Sequence, residues 1–280
     1  MNPASGGVGP KALAELQTLL GAYDLPVNVV EAAPAELAGA LKAAVDAKPD
    51  LLIVLAGDGT IRAAGELCGP DGPILAALPG GTMNMLPQAL YGTTDWRKAL
   101  AEALTGGVIR NVCGGEVEGR PFYCAAILGH PALWAEAREA LRERKLSKAW
   151  IKGRKAFRRA FTGKLRYYVD DGPTREAEAM AFLTPLISKA MHDEAGLEAA
   201  AMDVAGAADA FRLAFNTVAR DWRDDPAVEA KPARRAVLAA RHSIPAILDG
   251  ELIRLGRRTE VVFKPKAFRA LAPRLEKTFT

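Results

Sequence analysis

The spacing of hydrophobic positions changes along the chain. In residues 10–22 (PKALAELQTLLGA) apolar side chains recur three and four apart, which predicts a helix begun by Pro10 and ended near Gly21. VNVVEA (27–32) predicts a short strand. PAELAGALKAAVDA (34–47) predicts a helix with Pro34 in its first turn. DLLIVLAGDGT (50–60) is a continuous apolar run that closes on glycines, the pattern of a parallel strand buried on both faces. A helix to about Cys68, another buried strand in PILAALPGGT (73–82) and a helix from Asp95 to Leu104 follow. Strands alternating with helices predict a doubly wound α/β domain with a parallel sheet.

After Thr105 the texture changes. VIRNVCGGEVEGRPFYCAAIL (108–128) predicts two strands around a glycine turn, and helices are expected over roughly 131–161. LRYYVDDGPTREAEAMAFLTP (165–185) predicts a hairpin around Asp171-Gly172. FRLAFNTVA (211–219), RRAVLAARHSIPAILDGELI (234–253) and TEVVFKPKAF (259–268) supply further short strands. This second part is expected to be antiparallel and mostly β, with inserted helices.

Composition excludes several classes. The chain has 280 residues, half of them hydrophobic and a quarter charged, which rules out a disordered, collagenous or disulfide-stapled protein. The apolar run Leu51–Ala56 is far short of the ~20 residues that span a bilayer, and the opening MNPASGG has no signal-peptide pattern. Three scattered cysteines, Cys68, Cys113 and Cys124, predict reduced thiols and a cytoplasmic location.

The net charge of +4 conceals a strong asymmetry. The segment Arg138–Arg166 carries +10 and the remainder −6. Within it Leu146, Ala149, Trp150, Gly153, Phe157, Ala160 and Phe161 recur at helical spacing, with Lys148, Lys152, Arg154, Lys155, Arg158 and Arg159 between them. A basic amphipathic helix with aromatic anchors predicts contact with an anionic membrane through Trp150, Lys152, Lys155, Phe157, Arg158, Arg159 and Phe161. The plain alternative is a stripe packed on the protein with solvated charges. No nucleic-acid signature accompanies the charge, so no nucleic-acid partner is expected.

Candidate chemistry sits where strands end. In open α/β sheets ligands bind at the carboxyl ends of parallel strands. Gly57-Asp58-Gly59-Thr60 lets the main chain approach an anion at the start of a helix. A carboxylate in such a loop organises Mg²⁺, orients water or acts as a base, which singles out Asp58. Pro79-Gly80-Gly81-Thr82-Met83-Asn84 ends the next strand in the same way, with Thr82 and Asn84 offering a hydroxyl and an amide. There is no GxxxxGK[ST] loop, GxGxxG fingerprint, GxSxG elbow or HExxH motif. His130, His192 and His242 are scattered and are expected to be structural or surface residues.

Asn2-Pro3-Ala4-Ser5-Gly6, Gly57-Asp58-Gly59-Thr60, Pro79–Asn84 and Asp249-Gly250-Glu251, in this order, resemble the motifs of the diacylglycerol kinase catalytic-domain family. That family includes bacterial lipid kinases, sphingosine kinases and ceramide kinases. The resemblance implies a nucleotide-binding α/β domain over 1–110, completed by about 265–280, and a lipid-binding β-sandwich domain over 111–264. It implies ATP and Mg²⁺ as cofactors and a membrane lipid as phosphoryl acceptor. Asn2, Gly57, Asp58, Gly59, Thr60, Gly81, Thr82 and Asn84 would line the ATP site. Asp249 and Glu251 match the late acidic motif that supplies the base. Two residues apart in an extended chain, they would share one face. Asp193 falls where bacterial members carry a structural Mg²⁺ loop. Ala56, Met85 and Pro131 depart from the pattern and mark a divergent subgroup.

The expected protein is thus an ATP-dependent lipid kinase, peripheral to the inner face of the cytoplasmic membrane, with a homodimer left open. The alternatives are a non-catalytic lipid-binding protein of the same fold and an NAD kinase-like enzyme.

Overall fold

The computed structural model describes residues 1–23, 26–129, 164–188, 195–202 and 228–274. The expected helices over 131–161 with their membrane-facing residues, the strand at 211–219, and Asp193 lie outside them. The chain divides into two compact units, Met1–Cys113 with Pro265–Thr280, and Gly114–Lys264. The expected boundary at 110/111 falls inside β3 (Gly107–Val117).

In the first unit β1 (Leu51–Ala56) and β2 (Ile74–Pro79) pair in parallel, Leu51 opposite Ile74 through Ala56 opposite Pro79. The last strand, β14 (Arg258–Pro273), joins β2 in parallel at Ala270 opposite Leu75. Leu75, Ala76, Ala77 and Leu78 are wholly buried, as a strand covered on both faces requires. Helices α1 (Ala12–Gly21), α2 (Leu37–Asp46), α3 (Asp58–Cys68), α4 (Met85–Tyr91) and α5 (Trp96–Gly106) complete the unit. Asp95 caps α5, its carboxylate accepting the Arg97 N–H at 3.0 Å. The Tyr91 hydroxyl donates to the Leu271 carbonyl at 2.9 Å and so ties α4 to β14.

One expectation fails in this unit and one element was not expected. Residues 27–32 form no strand. Among the described residues its main chain bonds to Met1, whose amino group donates to the Val30 carbonyl and whose carbonyl accepts the Ala32 N–H, and this does not amount to a ladder. Conversely, α4 was not anticipated. It is seven residues long and contains Pro87, which its first turn tolerates because the proline nitrogen falls among the unbonded donors there.

The second unit is antiparallel. β11 (Arg235–Ala239) lies between β14 and β6 (Leu165–Val169), and β7 (Arg175–Ala177) pairs with β6. A separate sheet runs β10 (Val228–Ala233), β9 (Leu197–Met202), β8 (Ala179–Leu183), β5 (Ala125–Gly129), β12 (Ile244–Leu248), β13 (Glu251–Leu255). The hairpin expected over 165–185 exists only as β6 and β7, because the chain then crosses into β8 of the other sheet. β3 turns into β4 (Arg120–Phe122) through Glu118-Gly119, both at positive φ. β12 turns into β13 through Asp249-Gly250, φ 46° and 88°, with Leu248 opposite Glu251. Both are two-residue turns whose left-handed residues match strand twist.

Candidate active site

Three segments of the first unit converge at the carboxyl ends of β1 and β2. Residues 2–9 bond to the strand ends at two points: the Asn2 N–H donates to the Leu55 carbonyl at 3.0 Å, and the Gly7 N–H to the Gly80 carbonyl at 2.9 Å. The Ser5 hydroxyl oxygen accepts the Gly57 N–H at 3.1 Å. The Gly80 N–H donates to the Ala56 carbonyl at 3.0 Å. Gly81 packs so closely that a Cβ there would lie 2.9 Å from the Gly57 Cα. The glycines of 57–60 and 79–84 are therefore needed partly for each other.

Asp58 links the two loops. Its carboxylate oxygens accept the N–H groups of Asn84 and Met85, each at 2.9 Å. A residue in the first turn of α3 thereby caps α4 from outside. Asn84 is buried and left-handed, φ 50°. Its amide oxygen accepts the Gly81 N–H at 2.7 Å and its amide nitrogen donates to the Gly81 carbonyl at 2.9 Å. Asn84, expected to offer its amide to a ligand, has the amide oxygen and one amide N–H engaged by the loop's own main chain. Asn2 plays a similar part, buried and accepting the Ala4 N–H at 3.0 Å.

What stays open is the start of α3. The Thr60 and Ile61 N–H groups donate to the Gly57 carbonyl, whereas those of Asp58 and Gly59 have no main-chain acceptor among the described residues. Gly59 is exposed, and a Cβ added there would meet no protein atom within 4 Å. Its lack of a side chain answers no packing demand and suits close approach of a ligand. Two open N–H groups at a helix N-terminus, with Thr82 exposed on the facing loop, fit a phosphate chain. An expected Mg²⁺ fits less directly. Among the described residues no group of three or more His, Cys, Asp or Glu could hold a metal ion. Asp58 would be its one carboxylate in the cradle, and nucleotide phosphates would have to supply most of the coordination.

Asp249 and Glu251 belong to the second unit. The expectation that they share one strand face is overturned, because Asp249 occupies the left-handed turn while Glu251 begins β13, exposed. The Asp249 carboxylate turns back onto the main chain and accepts the N–H groups of Tyr123, Cys124 and Ala125 at 2.7, 2.8 and 2.9 Å. It holds the turn in which Glu251 follows. Sequence reading found Asp58, Asp249 and both glycine loops, gave Ser5 no role beyond its place in a motif, and missed Thr184; the partners of both are remote in the chain. The Thr184 hydroxyl, wholly buried, donates to the Tyr123 carbonyl at 2.8 Å.

Comparison with known proteins bears on this geometry. Residues 1–117 match the family model of the diacylglycerol kinase catalytic domain. The match spans all three loops of the cradle and supports a phosphotransferase. A diacylglycerol kinase structure from Bacillus anthracis is similar at 15% identity and TM-score 0.67, with 97% of this chain and 94% of that one covered. A second diacylglycerol kinase-like structure from that organism aligns at 19% identity and TM-score 0.70, with the same coverage. An NAD kinase from Archaeoglobus fulgidus, solved in complex with ATP, aligns at 12% identity and TM-score 0.52, covering 99% of this chain and 93% of that one. At these identities the structures establish the fold alone. No curated protein matches the sequence. Among the described residues no helix is long and apolar enough to cross a membrane.

Proposed function

We propose that the protein is an ATP-dependent lipid kinase that phosphorylates the hydroxyl of a membrane lipid such as diacylglycerol, ceramide or a sphingoid base. The observation that carries this reading is the bond pair from Asp58 to Asn84 and Met85, which fixes a glycine cradle with open N–H groups inside the matched catalytic-domain region. Phosphoryl transfer asks the protein mainly to position and to neutralise developing charge, and such a cradle does the first. ATP would place its phosphates at the start of α3, with Mg²⁺ held chiefly by those phosphates and by Asp58.

A lipid hydroxyl is a poor nucleophile until its proton has an acceptor. Glu251 is the proposed acceptor, and Asp249 holds its turn. The segment Arg138–Arg166, at +10, supports an acceptor carried in an anionic bilayer. The likeness to an ATP-bound NAD kinase makes NAD the alternative acceptor to exclude. Radiolabelled ATP incubated with diacylglycerol, ceramide, sphingoid base and NAD decides between them. Label transfer to one lipid supports the proposal, transfer to NAD replaces it, and transfer to none supports a non-catalytic lipid binder.

A further inference from the structure

We propose that the free edge of β1 and the segment 27–31 bracket an acceptor site for one extended apolar strand of another polypeptide, which adds to the parallel sheet of the first unit. The site lies on the side of β1 away from β2 and is independent of the kinase reading.

Only one edge of β1 is paired. Its single strand partner among the described residues is β2. The Asp50 and Ala56 carbonyls face that side and accept from Ile74 and Gly80, whereas the Leu55 carbonyl faces the other way and accepts the Asn2 N–H. Main-chain groups alternate in direction along a strand, so those of Leu51 and Ile53 share the Leu55 side. There they have no main-chain partner among the described residues. β1 reads LLIVLA, without the charge or proline that normally guards an edge. Burial falls away at the same place. Leu75 and Ala76 of β2 are wholly buried, yet Leu52 and Ile53 opposite them are only half-buried, while Leu55 and Ala56 beside Asn2 are buried.

Across the gap lies a second unpaired main chain. Residues 27–29 make no main-chain hydrogen bond among the described residues. The gap is one strand wide at one end, because Met1 and Asn2 bridge it. Met1 donates to the Val30 carbonyl and accepts the Ala32 N–H, while Asn2 donates to the Leu55 carbonyl. The Met1 pair is one step of a parallel ladder. From there back to Val27 and Leu51 the unpaired edges match about four extended residues at ~3.3 Å each. Val27 and Val29, alternate residues, line a cavity of about 290 Å³ with Gln17, Leu20 and Gly21 of α1. That lining carries no charged side chain, and Val27 and Val30 are 43% and 51% exposed. Unpaired N–H and C=O groups on both sides fit an extended polypeptide, and apolar walls fit uncharged side chains. A second copy has no spare strand among the described residues to lend, since all of those already sit in sheets. The occupant is therefore a segment of a different protein, β-branched and uncharged.

The test titrates the full chain with a fluorescent peptide of alternating valine and isoleucine between terminal lysines, followed by anisotropy and amide exchange. Saturable binding is expected, with exchange at the Ile53 and Leu55 amides slowed about tenfold or more. Methylating the peptide nitrogens should abolish binding, because it removes the donors. Val27→Lys, at an already exposed position, should weaken binding about tenfold without lowering the Tm of the free protein. Leu67→Lys, similarly exposed on α3, should bind like the parent. Absence of saturable binding overturns the inference, and so does binding that survives both methylation and Val27→Lys. Dimers of the parent at micromolar concentration, with Ile53 already protected, would assign the gap to a second copy and overturn it too. If the same residues stabilise the protein only when fused ahead of Met1, the gap admits no partner and the inference falls.

Discussion

The Asp249 carboxylate accepts the Cys124 N–H at 2.8 Å, joining the β12–β13 turn to the start of β5 across 125 residues of sequence. The bond is one of a set. All three N–H groups of residues 123–125 donate to Asp249, and the Asp249 N–H donates back to the Ala125 carbonyl at 2.9 Å. On the other side Thr184 donates its hydroxyl to the Tyr123 carbonyl and its N–H to the Cys124 carbonyl. Two residues thus satisfy six main-chain groups of a segment in which Tyr123 and Cys124 are buried. Unmet polar groups there would each cost about 1–3 kcal/mol.

Asp249→Asn is therefore expected to lower stability by roughly 1–3 kcal/mol, since an amide supplies one good acceptor oxygen where a carboxylate supplies two. Asp249→Ala should cost more. Gly250→Ala should cost about 1 kcal/mol through its φ of 88° alone, because an added Cβ meets no neighbour. Urea unfolding of the three variants checks the order. If Asp249→Asn unfolds at the parental midpoint, the clamp is not holding the turn.

Gly81→Ala tests the cradle. Its Cβ would lie 2.9 Å from the Gly57 Cα, a main-chain atom, and 3.2 Å from the Asn84 amide oxygen, which is held by its bond from the Gly81 N–H. The loops must separate, with an expected cost of ~1–3 kcal/mol and loss of nucleotide binding. Gly59→Ala, where nothing of the protein lies near, should be neutral for stability and harmful only to ligand binding. Thermal unfolding with and without ATP separates the two effects. Equal stability loss in both variants would show that the loops do not meet as described.

Asp58→Asn should reduce phosphoryl transfer at least ~100-fold, as expected for loss of a group that organises metal or a proton. The structure adds a second effect. Asp58 also caps α4, so the variant should lose ~1–2 kcal/mol of stability, and activity must be compared where both proteins are folded. Parental turnover in this variant would remove the loop from the reaction.

Burial pushes the Cys68 thiol up to about 11. An acid whose folded pKa is raised holds its proton longer in the native state than in the unfolded chain. Between about pH 9 and 11 the unfolded state binds fewer protons, so this thiol makes stability fall as pH rises through that window. Cys113 and Cys124 are buried as well. Ellman's reagent at pH 8 should react slowly with the native protein and rapidly after urea unfolding. A fast native thiol would contradict the burial of all three.

How far the sequence reached depends on whether each feature is local. β1, β2 and α3 were legible because apolar runs ending in glycine leave few alternatives. The segment 27–32 misled because alternating valines suit a strand only where a partner ladder exists, and Met1 alone supplies two bonds. α4 escaped because its cap is a carboxylate 26 residues upstream rather than the residue before it. The Asp249-Gly250 pair announced a turn, but the direction of its carboxylate is set by residues 124 to 126 positions away. Propensity and periodicity carry no information at that range.

Glu251 follows from the same geometry. It stands first in β13, opposite Leu248, directly after a turn whose first residue is held by three donors. Its position is therefore fixed although its side chain is exposed. With Asp249 engaged by the main chain, the proton-accepting role proposed for the pair falls to Glu251. Glu251→Gln keeps the shape and cannot take a proton, so kcat should fall ~100-fold or more with ATP affinity nearly unchanged. Asp249→Asn, acting through the turn, should instead lower kcat and stability together, and addition of a stabilising osmolyte should recover part of its activity but none of that lost in Glu251→Gln. A Glu251→Gln enzyme with parental kcat would move the base elsewhere, and Asp58 would then be the carboxylate to test.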